Sequence, residues 1–286
     1  MKFTRIAPLG ATLALVLAAT PAMAQSDSGG VDWTGPYVGG SFGYTFQKKD
    51  NAEHLRFDTN ADGNYNDVVR LSGSGADAFS RGTCGGAARG RNPGDGCNGD
   101  KDAISWMGHV GYDMQFGSLV AGVVAEGGKA YISDSVTEFS TTPHSYTMTR
   151  RIDWNGNLRA RVGYTTSGGV MPYITGGLAY AKVKNSFSTT NTAANTGNAF
   201  TESNRKEDAW GWTMGGGVEA KVAPNFSIGA RYLWTRYKTN DYNVNVSRGT
   251  ATATNPFIIT PSGTTEIGRG DKFDTQSVMA TASFRF

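Results

Sequence analysis

Residues 152–164 alternate between apolar and polar positions. Ile152, Trp154, Gly156, Leu158, Ala160, Val162 and Tyr164 make one set; Asp153, Asn155, Asn157, Arg159, Arg161 and Gly163 make the other. A period of two is the signature of a β-strand with one apolar and one polar face. Soluble strands usually run about 5–6 residues. This one is longer, and its apolar face carries Trp154 near one end and Tyr164 at the other. At about 3.3 Å per residue and a tilt of about 40°, the two aromatics stand roughly 25 Å apart along a membrane normal. That is the height of the apolar band of an outer-membrane barrel between its aromatic girdles.

The same alternation predicts seven further strands, at about 37–46, 104–116, 119–129, 170–182, 209–222, 226–238 and 274–286. Trp106 and Phe116 repeat the aromatic spacing. The connections alternate in length. Segments 47–103, 130–150, 183–208 and 239–272 are long and polar, whereas 117–118, 165–169 and 223–225 are tight turns. Short periplasmic turns and long extracellular loops are the pattern of up-and-down outer-membrane barrels. A soluble barrel has no reason to segregate its loops and would need an apolar inner face. The prediction is an all-β fold: an eight-stranded antiparallel up-and-down transmembrane β-barrel with four long extracellular loops.

The N-terminus agrees. Lys2 and Arg5 precede the apolar run from Leu9 to Thr20, and Ala22-Met23-Ala24 has the form of a cleavage site. Residues 1–24 read as a secretory signal peptide, leaving 25–286 as the barrel domain, with a long first loop at about 47–103. The apolar run is too short to span a membrane as a helix, and no longer one follows. Glycine is abundant (39 residues) and aromatics make up 11%, as in all-β chains. The formal charge of +3, two of which lie in the signal segment, gives no support for nucleic acid as a partner. Cys84 and Cys97 are the two cysteines of the chain, and in an exported protein they are expected to form a disulfide.

Several segments carry a resemblance to a known family: WTGPYVGGSFGY (33–44), GHVGYDMQFGSLVAG (108–122), NLRARVGY (157–164), PYITGGLAYA (172–181), GWTMGGGVEA (211–220) and a terminal strand ending in Phe286. Together they resemble the eight-stranded OmpA-like outer-membrane β-barrel family of Gram-negative bacteria, and within it the small immunogenic surface proteins. The resemblance implies a location in the outer membrane and contact with its lipid and lipopolysaccharide. It also implies recognition of Phe284 and Phe286 by the barrel-assembly machinery, and loops that meet a host or envelope partner. Arg231 departs from the family, which usually has an acidic residue before the tyrosine of strand seven, and the first loop is longer than usual.

The inward positions of the predicted strands hold Glu126, Arg159, Arg161, Glu219 and Arg231. An eight-stranded barrel is just wide enough for side chains to fill it, and a buried ion needs a partner. These five are therefore expected to form an ion network across the lumen, with His109 facing the same space. Asp58, Asn60 and Asp62 match the start of a calcium loop, but position twelve is Val69 rather than Glu, so an Asp/Asn-rich turn is the competing reading. Gly39-Gly40-Ser41-Phe42-Gly43 matches a nucleophile pattern that requires a strand-to-helix turn, whereas here it lies within a strand. Arg81, Arg89, Arg91 and Lys101 give the first loop a basic stretch suited to lipopolysaccharide phosphates. The Asn-, Thr- and Ser-rich loops are expected to be mobile. The reading is a non-enzymatic, cofactor-free surface protein that stabilises the envelope. The alternatives are a small-solute porin, a haemin-binding protein using loop residues such as His54 or His144, and a membrane-embedded lipid hydrolase or acyltransferase.

Overall fold

The computed structural model describes residues 31–47, 53–192, 197–239 and 242–286; segment 1–24, read from the sequence as a signal peptide, lies outside the described residues. The strands in chain order are β1 (Gly35–Gln47), β2 (Arg56–Asp58), β3 (Thr83–Cys84), β4 (Ala87–Ala88), β5 (Cys97–Asn98), β6 (Ala103–Phe116), β7 (Leu119–Ala130) and β8 (Ser133–Phe139). They continue as β9 (Ser145–Tyr164), β10 (Val170–Thr189), β11 (Ala199–Ser203), β12 (Lys206–Ala223), β13 (Phe226–Lys238), β14 (Asn243–Ser247), β15 (Thr265–Gly268) and β16 (Lys272–Arg285). Eight of them, β1, β6, β7, β9, β10, β12, β13 and β16, pair antiparallel in sequence order. The ring closes where β16 returns to β1, with Phe42 opposite Ala280 and Tyr37 opposite Arg285.

The facing follows the predicted alternation. Leu158, Val162, Val218 and Ile228 stand on the outer surface, and Leu158 keeps 56% of its area exposed; Arg159 and Glu219 are buried inside. A closed ring leaves no unpaired edge, which is what a strand structure needs in hydrocarbon. At the short-turn end, Gly117 takes φ 62°, a conformation that a side chain disfavours, and lets β6 turn directly into β7.

One strand breaks the alternation. Trp154 pairs with Lys182 but Ile152 pairs with the next residue, Val183, so Asp153 is bulged. An extra residue in one strand reverses the facing beyond it. Ile152 is therefore 1% exposed and points into the barrel, not outward with Trp154 as its sequence phase predicts. Tyr146, Met148 and Arg150 follow it inward.

The long loops also differ from expectation. They fold into a packed cap. Segment 130–150 is a hairpin, because β8 pairs with an extended β9 from Ser133–Arg151 to Phe139–Ser145. β2, β15, β14 and β11 join segments of the first, fourth and third loops into a four-stranded sheet. Beneath it lies a core that includes Phe57, Phe79, Val136, Tyr146, Met148, Val244, Phe257 and Ile267. The ring of Phe79 lies 4.5 Å from Phe57 and 5.1 Å from Tyr146, edge-on to the latter. Cys84 and Cys97 are disulfide-bonded and staple the β4–β5 hairpin. No single loop holds enough apolar surface for a core of its own. The four together do, so Asn- and Ser-rich segments pack here around shared apolar residues.

Candidate functional site

The lumen is filled in layers. At the short-turn end Trp33 is fully buried among Val120, Met171 and Tyr173. Its indole Nε1 donates to Thr165 Oγ1 at 2.9 Å, and its backbone N donates to Gln115 Oε1 at 2.8 Å. The chain ahead of β1 thus closes that mouth.

Above it lies the ion layer. Arg159 Nη2 donates to Glu126 Oε2 at 2.8 Å, and Ser41 Oγ donates to Glu126 Oε1 at 2.7 Å; Arg231 Nη2 also donates to Glu126. Arg161 Nη1 meets Glu219 Oε1 at 2.6 Å. The five sequence-predicted residues therefore come together. Two members are additional. Asp113 accepts from Arg161 Nε at 2.8 Å and from Arg285 Nη2 at 2.7 Å. Both positions lie on inward phases of their strands, between Tyr112 and Met114 and between Phe284 and Phe286, so carrying the alternation through would have found them. The guanidinium of Arg161 is also held between the rings of Tyr37 (4.7 Å) and Tyr173 (5.3 Å).

Glycines make room for this layer. A Cβ at Gly39 would lie 2.4 Å from His109 Nε2, so the imidazole occupies the space that a side chain would take. His109 Nε2 instead bonds Ser283 Oγ at 2.8 Å. Ser41 is engaged with Glu126 and Arg231 and stands within β1, so the GxSxG match is a packing pattern and not a nucleophile turn. The cavity in this layer measures about 10 Å³. Tyr37 Oη, His109 Nδ1, Glu219 Oε2, Arg231 Nε and Thr281 Oγ1 have no protein partner, and all five residues line it. Its size and polar wall suit one bridging water and no larger solute.

Over the ions comes an apolar layer of Ile132, Ile152, Ala179, Ala181, Val183, Tyr237 and Phe273. The lumen is therefore not uniformly polar, as the alternation alone implies. A second ion cluster, which sequence reasoning missed, seals the junction with the cap. Arg150 Nε donates to Asp134 Oδ2 at 2.6 Å, and Arg269 Nη2 reaches Glu53 Oε2 at 2.7 Å and Asp134 Oδ2 at 2.9 Å. Nearby Asp100 has its carboxyl pushed up to about 6, first by burial; the Ser135 amide opposes this and the charge of Asp134 adds to it.

The remaining predicted sites lie apart. Asp58 turns its carboxylate to its own loop: Oδ1 accepts from the amides of Asn60 (3.1 Å) and Ala61 (2.7 Å), and Oδ2 from Gly63 (2.8 Å). Asp62 accepts from Asn64 N at 2.7 Å and from Asn60 Nδ2 at 3.2 Å. Among the described residues no three His, Cys, Asp or Glu side chains are grouped as metal ligands. Segment 58–64 is an amide-capped turn, as the Asp/Asn-rich turn reading expects. His54 is exposed, and His144 bonds Thr190 Oγ1 at 3.4 Å. Phe284 and Phe286 lie exposed on the outer face with their rings 5.2 Å apart. Arg81, Arg89, Arg91 and Lys101 are exposed on and beside the disulfide-bridged lobe.

A closed ring with an apolar outer belt, a filled ionic lumen and aromatics at both rims defines an outer-membrane β-barrel protein. Residues 11–286 match the family of outer membrane protein beta-barrel domains, and the chain belongs to that family. It is 29% identical to the 31 kDa outer-membrane immunogenic protein of Brucella melitensis over 71% of this chain and 70% of that one. It is 32% identical to the 22 kDa outer membrane protein of Rhizobium leguminosarum bv. viciae over 51% and 59%. Among solved structures, the outer membrane protein OprG of Pseudomonas aeruginosa aligns with a TM-score of 0.49 at 11% identity, covering 91% of this chain and 100% of that one. Neisserial surface protein A aligns at 0.36 and 12%, covering 88% and 98%. The protein resides in the outer membrane of a Gram-negative bacterium.

Proposed function

We propose that the protein is a non-enzymatic, non-conducting barrel that stabilises the envelope and presents its cap to partners at the cell surface. The observation that carries this reading is the filled lumen. A tryptophan layer, an ion layer with a cavity of about 10 Å³, and an apolar layer succeed one another from mouth to mouth. A solute path would require all three to open. The basic lobe around Arg89 and Arg91 supports contact with lipopolysaccharide phosphates, for which guanidinium groups give bidentate pairing. The exposed terminal aromatics support delivery by the barrel-assembly machinery. Purified protein in planar lipid bilayers tests the reading. The expected result is no stable conductance steps; large, stable steps would replace it with a small-solute pore.

A further inference from the structure

Where the loops meet above the barrel there is a cavity of about 330 Å³, within the size range of small-molecule sites and far larger than the one in the lumen. All four loop regions build its wall. Arg56 and Tyr65 come from the first, Arg150 from β9 below the second, Asn185 and Glu207 from the two sides of the third, and Asp271 from the end of the fourth.

Three properties of this wall narrow the ligand. The first is charge. The guanidiniums of Arg150 and Arg269 are taken up by Asp134 and Glu53, and the other charged lining residues, Arg56, Glu207 and Asp271, are of mixed sign. A wall so nearly balanced offers no strong attraction to a charged solute. The second is shape. The polar groups are planar carboxylate, carboxamide and guanidinium, each able to bond two neighbouring hydroxyls at once. Asn185 is buried, with Nδ2 held by Glu207 Oε1 at 3.1 Å, so its amide is pre-set. Arg56 is exposed, and its guanidinium has no hydrogen-bond or ion-pair partner among the described residues. The third is aromatic surface. Tyr65 and Tyr242 both line the cavity, and their hydroxyls are tied to Glu266 and Glu202 at 2.6 Å each, which fixes the rings.

We propose that this cavity binds a neutral glycan unit, a mono- or disaccharide. Its hydroxyls pair with the planar polar groups, its apolar C–H face lies on a tyrosine ring, and its near-zero charge matches the wall. The site lies among the long loops, and the inference goes beyond the envelope-stabilising reading without depending on whether the lumen conducts.

The test is saturation-transfer NMR on the full protein in detergent micelles. The probes are glucose, galactose, mannose, N-acetylglucosamine, maltose, lactose and chitobiose, with sodium phosphate and glutamate as charged competitors. At least one sugar should bind and resist both competitors. Arg56→Ala, which removes a side chain without protein partners, should weaken binding about tenfold or more. Asn64→Trp, which places bulk at the exposed rim, should abolish it. Heat-shifted electrophoretic mobility shows that each variant is folded. No binding by any sugar, binding that survives either substitution within twofold, or displacement by the charged competitors would each overturn the proposal.

Discussion

Glu126→Gln tests the lumen most sharply. Gln keeps the size of the side chain and removes its charge. Glu126 is the shared acceptor of Arg159 and Arg231, and it accepts from Ser41 as well. The other two lumen carboxylates are already engaged. Asp113 holds Arg161 and Arg285, and Glu219 holds Arg161. Glu219 has one oxygen, Oε2, without a protein partner, but its charge is already matched to Arg161, so the two buried guanidiniums are left a counter-ion short. Breaking a buried pair by removing one partner costs about 3–5 kcal/mol. The amide oxygen still accepts one hydrogen bond, so a loss near the lower end, about 3 kcal/mol, is expected. Urea titration in detergent, followed by tryptophan fluorescence, reads this as a lowered midpoint at constant slope. The double variant Glu126→Gln/Arg231→Met should recover part of the loss, because it removes one of the stranded charges. A loss below about 1 kcal/mol would refute the reasoning, since it would mean that water already screens these ions.

Four further outcomes are expected. Leu158→Arg, on the outer face, should cost about 2–4 kcal/mol if it sits near the midplane, and an unchanged urea midpoint in lipid vesicles would contradict that facing. Glu138 in the cap has its carboxyl pushed up to about 8, first by burial and then by the charge of Asp77, against an opposing bond from the Leu55 amide. It is thus protonated in the native cap while the opened cap ionises near pH 4–5, so stability is full below that range, falls by on the order of a few kcal/mol as pH rises to about 8, and then levels off; hydrogen exchange of the cap against pH should show this slope, and Glu138→Gln should flatten it. Phe79→Ala removes the ring shared by Phe57, Tyr146 and Phe257 and should cost about 3–5 kcal/mol of cap stability, read as protease cleavage in several loops while the barrel keeps its heat-shifted mobility. Cys84→Ser/Cys97→Ser should destabilise the 84–97 lobe by about 3 kcal/mol and open it to protease without unfolding the barrel.

The membrane part of this chain was legible because hydrocarbon imposes one rule on every residue of a strand. Leu158 must face out and Arg159 in, and the period of two states this directly. The rule failed where the membrane ends. At Asp153 a bulge reverses the phase, and nothing local marks it; Ile152 fits either face by its chemistry. The cap was illegible for a related reason. Phe57 and Phe79 sit singly among polar residues, and their partners come from other loops. Apolar residues that meet only in three dimensions leave no periodic trace. Asp58 shows how spacing can leave two readings open: residues spaced for a cation also suit a turn in which the carboxylate accepts from backbone amides, and here it does so.

These two regimes bear on where function can reside. On the proposed reading a lumen whose ions bind one another offers a solute no path, and the lipid-facing belt is apolar throughout. The cap differs from both. Its order depends on contacts among four loops that alone would leave Phe57, Phe79 or Phe257 in water, so its segments are held or lost together. Such interdependence fixes polar groups from distant parts of the chain at one place. Arg56 and Asp271 share a cavity wall because β2 pairs with β15, which sets Arg56 opposite Gly268. A loop surface built for display alone needs no such register. Side chains from four loops gathered around one cavity of about 330 Å³ are what recognition of a specific small ligand requires.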